Sequence, residues 1–242
     1  MLNEAPPVPP NPPTLQPGPT SMFQTWIDAL TKPNERTYAG MAASPNAKAT
    51  TAYLWVFIGA LIEIVLSVIA QGPAMRAMME QRGVGGNLPA GGLGFALIGA
   101  VCGGPIGAVI TVIFFAIGTA IVQWIAKMFG GRGTFDQLAY SFAAIAAPVA
   151  VVTGIFNVLG AIPFVGICFR VVIGLAGLYV LVLQIMAVKG VNGLTWGAAA
   201  GSVLIPGVVV FLVCCCLVAG IAALSGAAIG NIFSTINQSL TP

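Results

Sequence analysis

Two ionisable side chains stand inside long apolar runs: Glu63 in "WVFIGALIEIVLSVIA" and Arg170 in "PFVGICFRVVIGLAG". In hydrocarbon, a carboxylate and a guanidinium have two uses. They can cancel one another as an ion pair, or one of them can carry a proton or ion along a path. Glu63 lies about 12 Å from Gln71, and Arg170 about 14 Å from Ala161, along helices that end on the same surface. This matching depth predicts that the two meet and fix the register of the first and fourth apolar runs. A carrier would call for further ionisable groups near the midplane, and this chain offers only Arg170. Gln123 and Gln184, near the other ends of their runs, are expected to bond one another or a neighbouring helix.

Other chemistry has little to work with. Histidine is absent, which removes the commonest metal ligand and the commonest general base at neutral pH. Cys102, Cys168 and the run Cys214, Cys215, Cys216 have no metal-site spacing. Consecutive helical residues point about 100° apart, so the run cannot converge on one ion. Ser67, Ser141 and Ser202 lack a base, so no hydrolytic constellation is present. "GVGGNLPAGGLG" is followed by no Gly-Lys-Ser/Thr, and "GGRGTF" lacks phosphate-loop spacing. The reading is of a protein with no catalytic residue, no metal and no cofactor.

The elements that hold these residues are membrane helices. Only 6% of the 242 residues are charged and 58% are hydrophobic, where a soluble domain carries about a quarter charged residues. Nine bases against six acids are too few and too scattered to hold nucleic acid. Five runs reach the roughly 20 residues that a bilayer demands: near 51–71, 105–126, 137–157, 161–188 and 197–224. The predicted fold class is an all-α integral membrane protein, a five-span helical bundle with interfacial amphipathic helices at both ends. Before the second span, residues 93–104 read as an interfacial or re-entrant segment, or as a helix extension bent at Gly103 and Gly104 ahead of Pro105.

Four regions follow. Residues 1–20 form a proline-rich tail and residues 21–50 an amphipathic helix with a linker. Residues 51–224 form the membrane domain, and 225–242 an amphipathic tail on the far surface. In "SMFQTWIDALTKP", Ser21 can cap a helix that carries Met22, Phe23, Trp26, Ile27 and Leu30 on one face. That face suits either the lipid headgroup boundary or the protein's own surface. The "PAMRAMMEQR" segment pairs Arg76 with Glu80 at helical spacing. Small residues recur every four positions at Gly99, Gly103 and Gly107, at Ala139, Ala143 and Ala147, and at Gly197 and Gly201, and these are expected to be helix-packing faces. A cytosolic N-terminus places Lys32, Arg36, Lys48, Lys127, Arg132 and Lys189 inside, with Arg76 and Arg82 outside. The C-terminus is then extracytoplasmic.

Three segments carry a family resemblance: "TWIDALTKPNERTY", "GGRGTFDQLAYSFAAIAAPV" and "YVLVLQIMAVKGVNGLTWGAAAGSVLIP". In the last, Gln184, Val188, Gly193, Leu194, Trp196 and Ala198 stand as the pattern expects; in the middle one, Gly133, Thr134, Phe135 and Pro148 do so. The chain resembles the bacterial branch of the Yip-domain (Ypt-interacting protein) family. The resemblance implies a five-span bundle with a cytosolic N-terminus and a non-enzymatic organiser in the membrane. Eukaryotic relatives bind Rab-type GTPases, but the eukaryotic signatures of the first two spans are missing here. The expected function is that of a scaffold or adaptor in a bacterial plasma membrane, or an accessory subunit of a larger integral complex. Its expected partners are membrane lipids and other integral membrane proteins. The competing expectation is a small transporter or channel that uses Glu63 and Arg170.

Overall fold

A bilayer offers no water to unpaired backbone groups, so long apolar runs saturate their own N–H and C=O groups as helices. The structure, a computed structural model, describes residues 21–81, 92–162 and 166–240, and for 72–80, 92–98 and 221–240 it describes the helical backbone. The expected proline-rich tail, glycine-rich loop, Arg76–Glu80 pair and side chains of the C-terminal tail lie outside the described residues. Seven helices and no strand make up the described residues: α1 (Met22–Thr31), α2 (Glu35–Ala42), α3 (Ala49–Gln81), α4 (Gly92–Met128), α5 (Phe135–Gly160), α6 (Gly166–Asn192) and α7 (Trp196–Leu240). Five of these, α3 to α7, are long and apolar enough to cross a membrane. The protein is an all-helical integral membrane protein.

Local chemistry sets the helix ends. Ser21 caps α1 by accepting from the Gln24 N–H, and Asn34 caps α2 by accepting from Thr37. Thr134 and Gln137 form a reciprocal capping box at the start of α5. Gly193, at φ 65°, ends α6 by turning the chain into the left-handed region, and the Gly193 and Leu194 N–H groups both bond the Lys189 carbonyl. Residues 93–104 belong to one continuous α4 that runs through Pro105, so there is no separate re-entrant segment. Apolar flanks leave this backbone no partner other than its own helix. Likewise, α7 continues unbroken to Leu240, so residues 225–240 prolong the last span.

The spans form a ring. α3 packs on α4 and α5, α5 on α6, α6 on α7, and α7 returns to α4. The tightest seam is between α3 and α5, and small residues make it. Ala139, Ala143 and Ala147 of α5 are buried, as are Ala52 and Ala60 of α3. A Cβ on Gly59 would stand 2.8 Å from the Ala147 carbonyl oxygen, and one on Gly154 would stand 3.1 Å from the Glu63 Cα. Close backbone approach replaces the hydrophobic driving force that lipid does not supply.

Burial is uneven along the helices. Lys48, Lys127, Arg132 and Lys189 fall at one end of the bundle, here termed the basic end, where α1 and α2 also pack. Toward the far end α7 stands apart, and every one of its residues from 207 to 220 is exposed.

Gly59→Val should therefore lower the thermal stability of the purified protein by about 1–3 kcal/mol, since the new side chain meets backbone that cannot yield. Gly118→Ala, at a helical position with nothing within 4 Å, should leave the melting temperature unchanged or slightly raised.

Candidate functional site

Two turns meet at the basic end. The turn between α4 and α5 holds Gly130, at φ 88°, and Gly131 to Gly133; the turn between α6 and α7 holds Gly193 to Thr195. Buried amides join them. Gln123 Nε2 of α4 donates to the Gly133 carbonyl at 2.7 Å and to Asn192 Oδ1 at 3.1 Å. Asn192 Nδ2 donates back to Gln123 Oε1 at 3.2 Å, and the Arg132 N–H bonds the Asn192 carbonyl at 3.1 Å. A Cβ on Gly133 would press within 2.9 Å of Val191 and Asn192, so only glycine fits there.

Gln123 does bond a neighbouring helix, but its partner is Asn192. Gln184 lies eight residues before Asn192 on α6, about 12 Å away, and is half-buried with no side-chain hydrogen bond among the described residues.

The short helices α1 and α2 close over this end. Lys189 of α6 pairs with Glu35 of α2, and its Nζ stands 5.0 Å from the centre of the Trp196 ring on α7. α2 lies so near α6 that a Cβ on Gly190 would collide with the Glu35 carbonyl. Tyr38 Oη donates to the Ala29 carbonyl at 2.7 Å, and Tyr179 Oη donates to the Leu30 carbonyl at 2.6 Å. Burial, with a smaller contribution from the nearby Tyr179, pushes the Tyr38 hydroxyl above the ordinary phenol range, so it stays protonated and keeps donating. Trp26 packs edge-on against Trp55, which packs on Tyr140.

Of the five apolar residues predicted for one α1 face, Trp26 is buried and Met22 and Leu30 are half-buried against the bundle. Phe23 and Ile27 point outward, 65% and 54% exposed. The helix thus docks on the bundle through Trp26 and turns Phe23 and Ile27 away from the core.

The structure does not bring Glu63 and Arg170 together within the chain. Glu63 faces Gly154 of α5 on the α3 side, while Arg170 is exposed on α6, and α5 stands between them. Neither has an ion-pair or hydrogen-bond partner among the described residues. Gly154 lies 19 residues along α5 from Phe135, about 28 Å.

The predicted glycine faces fare differently. Gly107 meets Ile64 and Gly201 meets Phe129, whereas Gly99, Gly103 and Gly197 have nothing within 4 Å. Backbone from elsewhere in the chain closes instead on Gly59, Gly131, Gly133, Gly154, Gly166 and Gly190, none of which stands in those ladders. A recurrence of four places residues on one face without telling which face meets a helix.

A cleft of about 450 Å³ opens between the two turns, lined by Phe129, Arg132, Asn192, Leu194, Thr195 and Ala198, among others. Its polar lining is a guanidinium, an amide and a hydroxyl, which can bind by charge and hydrogen bonding but include no base to activate a nucleophile. Among the described residues no three His, Cys, Asp or Glu side chains come together to hold a metal ion.

Comparison with known proteins places this arrangement in context. The family model described as the Yip1 domain matches residues 27–233, which takes in both turns, α2 and all five spans. No curated protein and no solved structure matches the chain.

Asn192→Leu should destabilise the purified protein by about 1–3 kcal/mol, because it leaves the buried Gln123 amide short of a partner. The double change Gln123→Leu with Asn192→Leu should cost less than the sum of the two single changes. Additive melting shifts would show that the amide pair is not a unit.

Proposed function

The chain belongs to the Yip1-domain family, and on that premise we propose that it is a non-enzymatic scaffold or adaptor of the membrane, working as an accessory subunit of a larger integral complex. The observation that carries this reading is the uneven burial of the bundle. Its basic end is tied by amides, an ion pair and an aromatic stack. Toward the other end, α7 offers an unbroken apolar surface, with all residues from 207 to 220 exposed, Val210 and Phe211 by 60% and 66%. Lipid chains and the helices of other membrane proteins fit such a surface. Directional binding there comes from van der Waals packing.

The gathered bases support an orientation with the basic end and the N-terminus in the cytosol, and the C-terminus across a bacterial plasma membrane. The transporter reading has less support. Glu63 and Arg170 stand on helices that pack on either side of α5 and form no ion pair among the described residues.

Extraction of native membranes into polymer-bounded discs, followed by capture through a C-terminal tag, tests the proposal. The expected result is a set of larger membrane proteins in constant ratio to this chain. Discs that hold only copies of this chain and lipid would sink the accessory-subunit reading. Solute flux in proteoliposomes that vanishes with Glu63→Gln would replace it with the transporter.

A further inference from the structure

The cleft between the two turns holds polar groups that the fold itself does not use. The Arg132 guanidinium and the Thr195 hydroxyl line it, and neither has an ion-pair or hydrogen-bond partner among the described residues. Arg132 is engaged through its backbone alone, the N–H bonding the Asn192 carbonyl. Asn192, by contrast, is buried and held by Gln123, so the wall behind the two free groups is fixed. No acid lines the cleft; exposed Asp136, four residues from Arg132, is not among its walls.

Space and height narrow the choice of ligand. Gly130 and Gly193, the two glycines at positive φ, border the cleft, and a Cβ on either would meet nothing within 4 Å. Its volume of about 450 Å³ falls in the range of about 300–1,000 Å³ usual for small-molecule sites. The cleft also opens where two membrane spans end: Met128 closes the apolar stretch of α4, and Trp196 begins that of α7. Phe129, Leu194 and Ala198 supply apolar walls, and Phe129 reaches Gly201, five residues beyond Trp196. Phe129 and Trp196 are 47% and 50% exposed, as suits aromatic rings at the membrane boundary.

Free polar groups beside apolar walls at the edge of the hydrocarbon match an amphiphile whose polar end carries a negative phosphate. A planar guanidinium gives phosphate two parallel N–H bonds, and a hydroxyl can donate a third. We infer that this cleft binds the headgroup phosphate of an anionic phospholipid through Arg132 and Thr195, with the acyl chains passing Phe129 into the bilayer. A phosphate free in solution shares the polar contacts and lacks the apolar ones. The site stands whether the protein serves as scaffold or transporter.

Native mass spectrometry of the full-length protein, stripped of lipid in detergent and titrated with phosphatidylglycerol, phosphatidylcholine or glycerol 3-phosphate, tests the site. The wild type should bind phosphatidylglycerol in preference to phosphatidylcholine, and excess glycerol 3-phosphate should not displace it. Arg132→Gln should weaken phosphatidylglycerol binding about fivefold, the worth of one base near an anionic lipid surface. Lys48→Gln, the same loss of charge on an exposed side chain at the same end but outside the cleft, should leave binding unchanged. Since its guanidinium has no partner in the chain, Arg132→Gln should melt like the wild type before lipid is added.

Equal weakening by the two variants would overturn the inference, because a diffuse basic surface would then explain the binding. Equal affinity for phosphatidylcholine would do the same. Displacement by glycerol 3-phosphate would overturn the lipid assignment in favour of a soluble phosphate. Should Arg132→Gln fail to fold, Ala198→Leu decides, since it fills the apolar side of the cleft and alters no charge. It should also weaken phosphatidylglycerol binding, and unchanged binding would remove the site.

Discussion

The bundle depends on one constraint: two reversals of the chain must pack against each other at the same end, and their backbone groups must be satisfied there. Gln123 and Asn192 meet it by exchanging hydrogen bonds while Gln123 also holds the Gly133 carbonyl. A buried amide offers two donors and an acceptor with two lone pairs, enough to serve a second amide and a turn carbonyl together. With the turns fixed, the ends of α4 and α6 and the starts of α5 and α7 are fixed too. Lys189, three residues before Asn192, then ties α2 and Trp196 to the same place.

Much of this was legible in the sequence, for physical reasons that differ by element. The spans show in composition because lipid demands apolar residues whatever their neighbours are. The Ser21 cap shows because its partner is three residues away. Gln123 stands out as a polar residue in an apolar run, yet Asn192, 69 residues distant, reads as an ordinary turn residue before a glycine. Gly59 and Gly154 gave no ladder signal, since the close approach is made against another helix and leaves no period in its own. Trp26 looked like an interfacial residue because periodicity finds an apolar face but does not tell lipid from Trp55. Glu63 stands beside Gly154 and Phe169, next to Arg170, packs on Phe156, but the sequence held no sign that α5 stands between their helices.

The residues that carry the resemblance fall largely on this same junction. Gly133 admits Asn192 and Val191, Thr134 caps α5, and Gly193 ends α6. Val188 and Leu194 are buried, and Trp196 receives Lys189. Their chemistry is that of a fastening: tight turns, caps and a cation over a ring. The recognisable part of the sequence therefore reports how the helices are joined, while the exposed apolar surfaces lie on α4, α6 and α7.

One consequence lies in the proportions of α7. It is 45 residues long, fastened at its root beside Trp196 and exposed on every side from 207 to 220. At 1.5 Å per residue it reaches about 67 Å, so a rotation of about 5° at the root carries its tip by about 6 Å. Such a helix has the geometry of a long lever: a tilt at its root displaces its tip by many times what it displaces the junction.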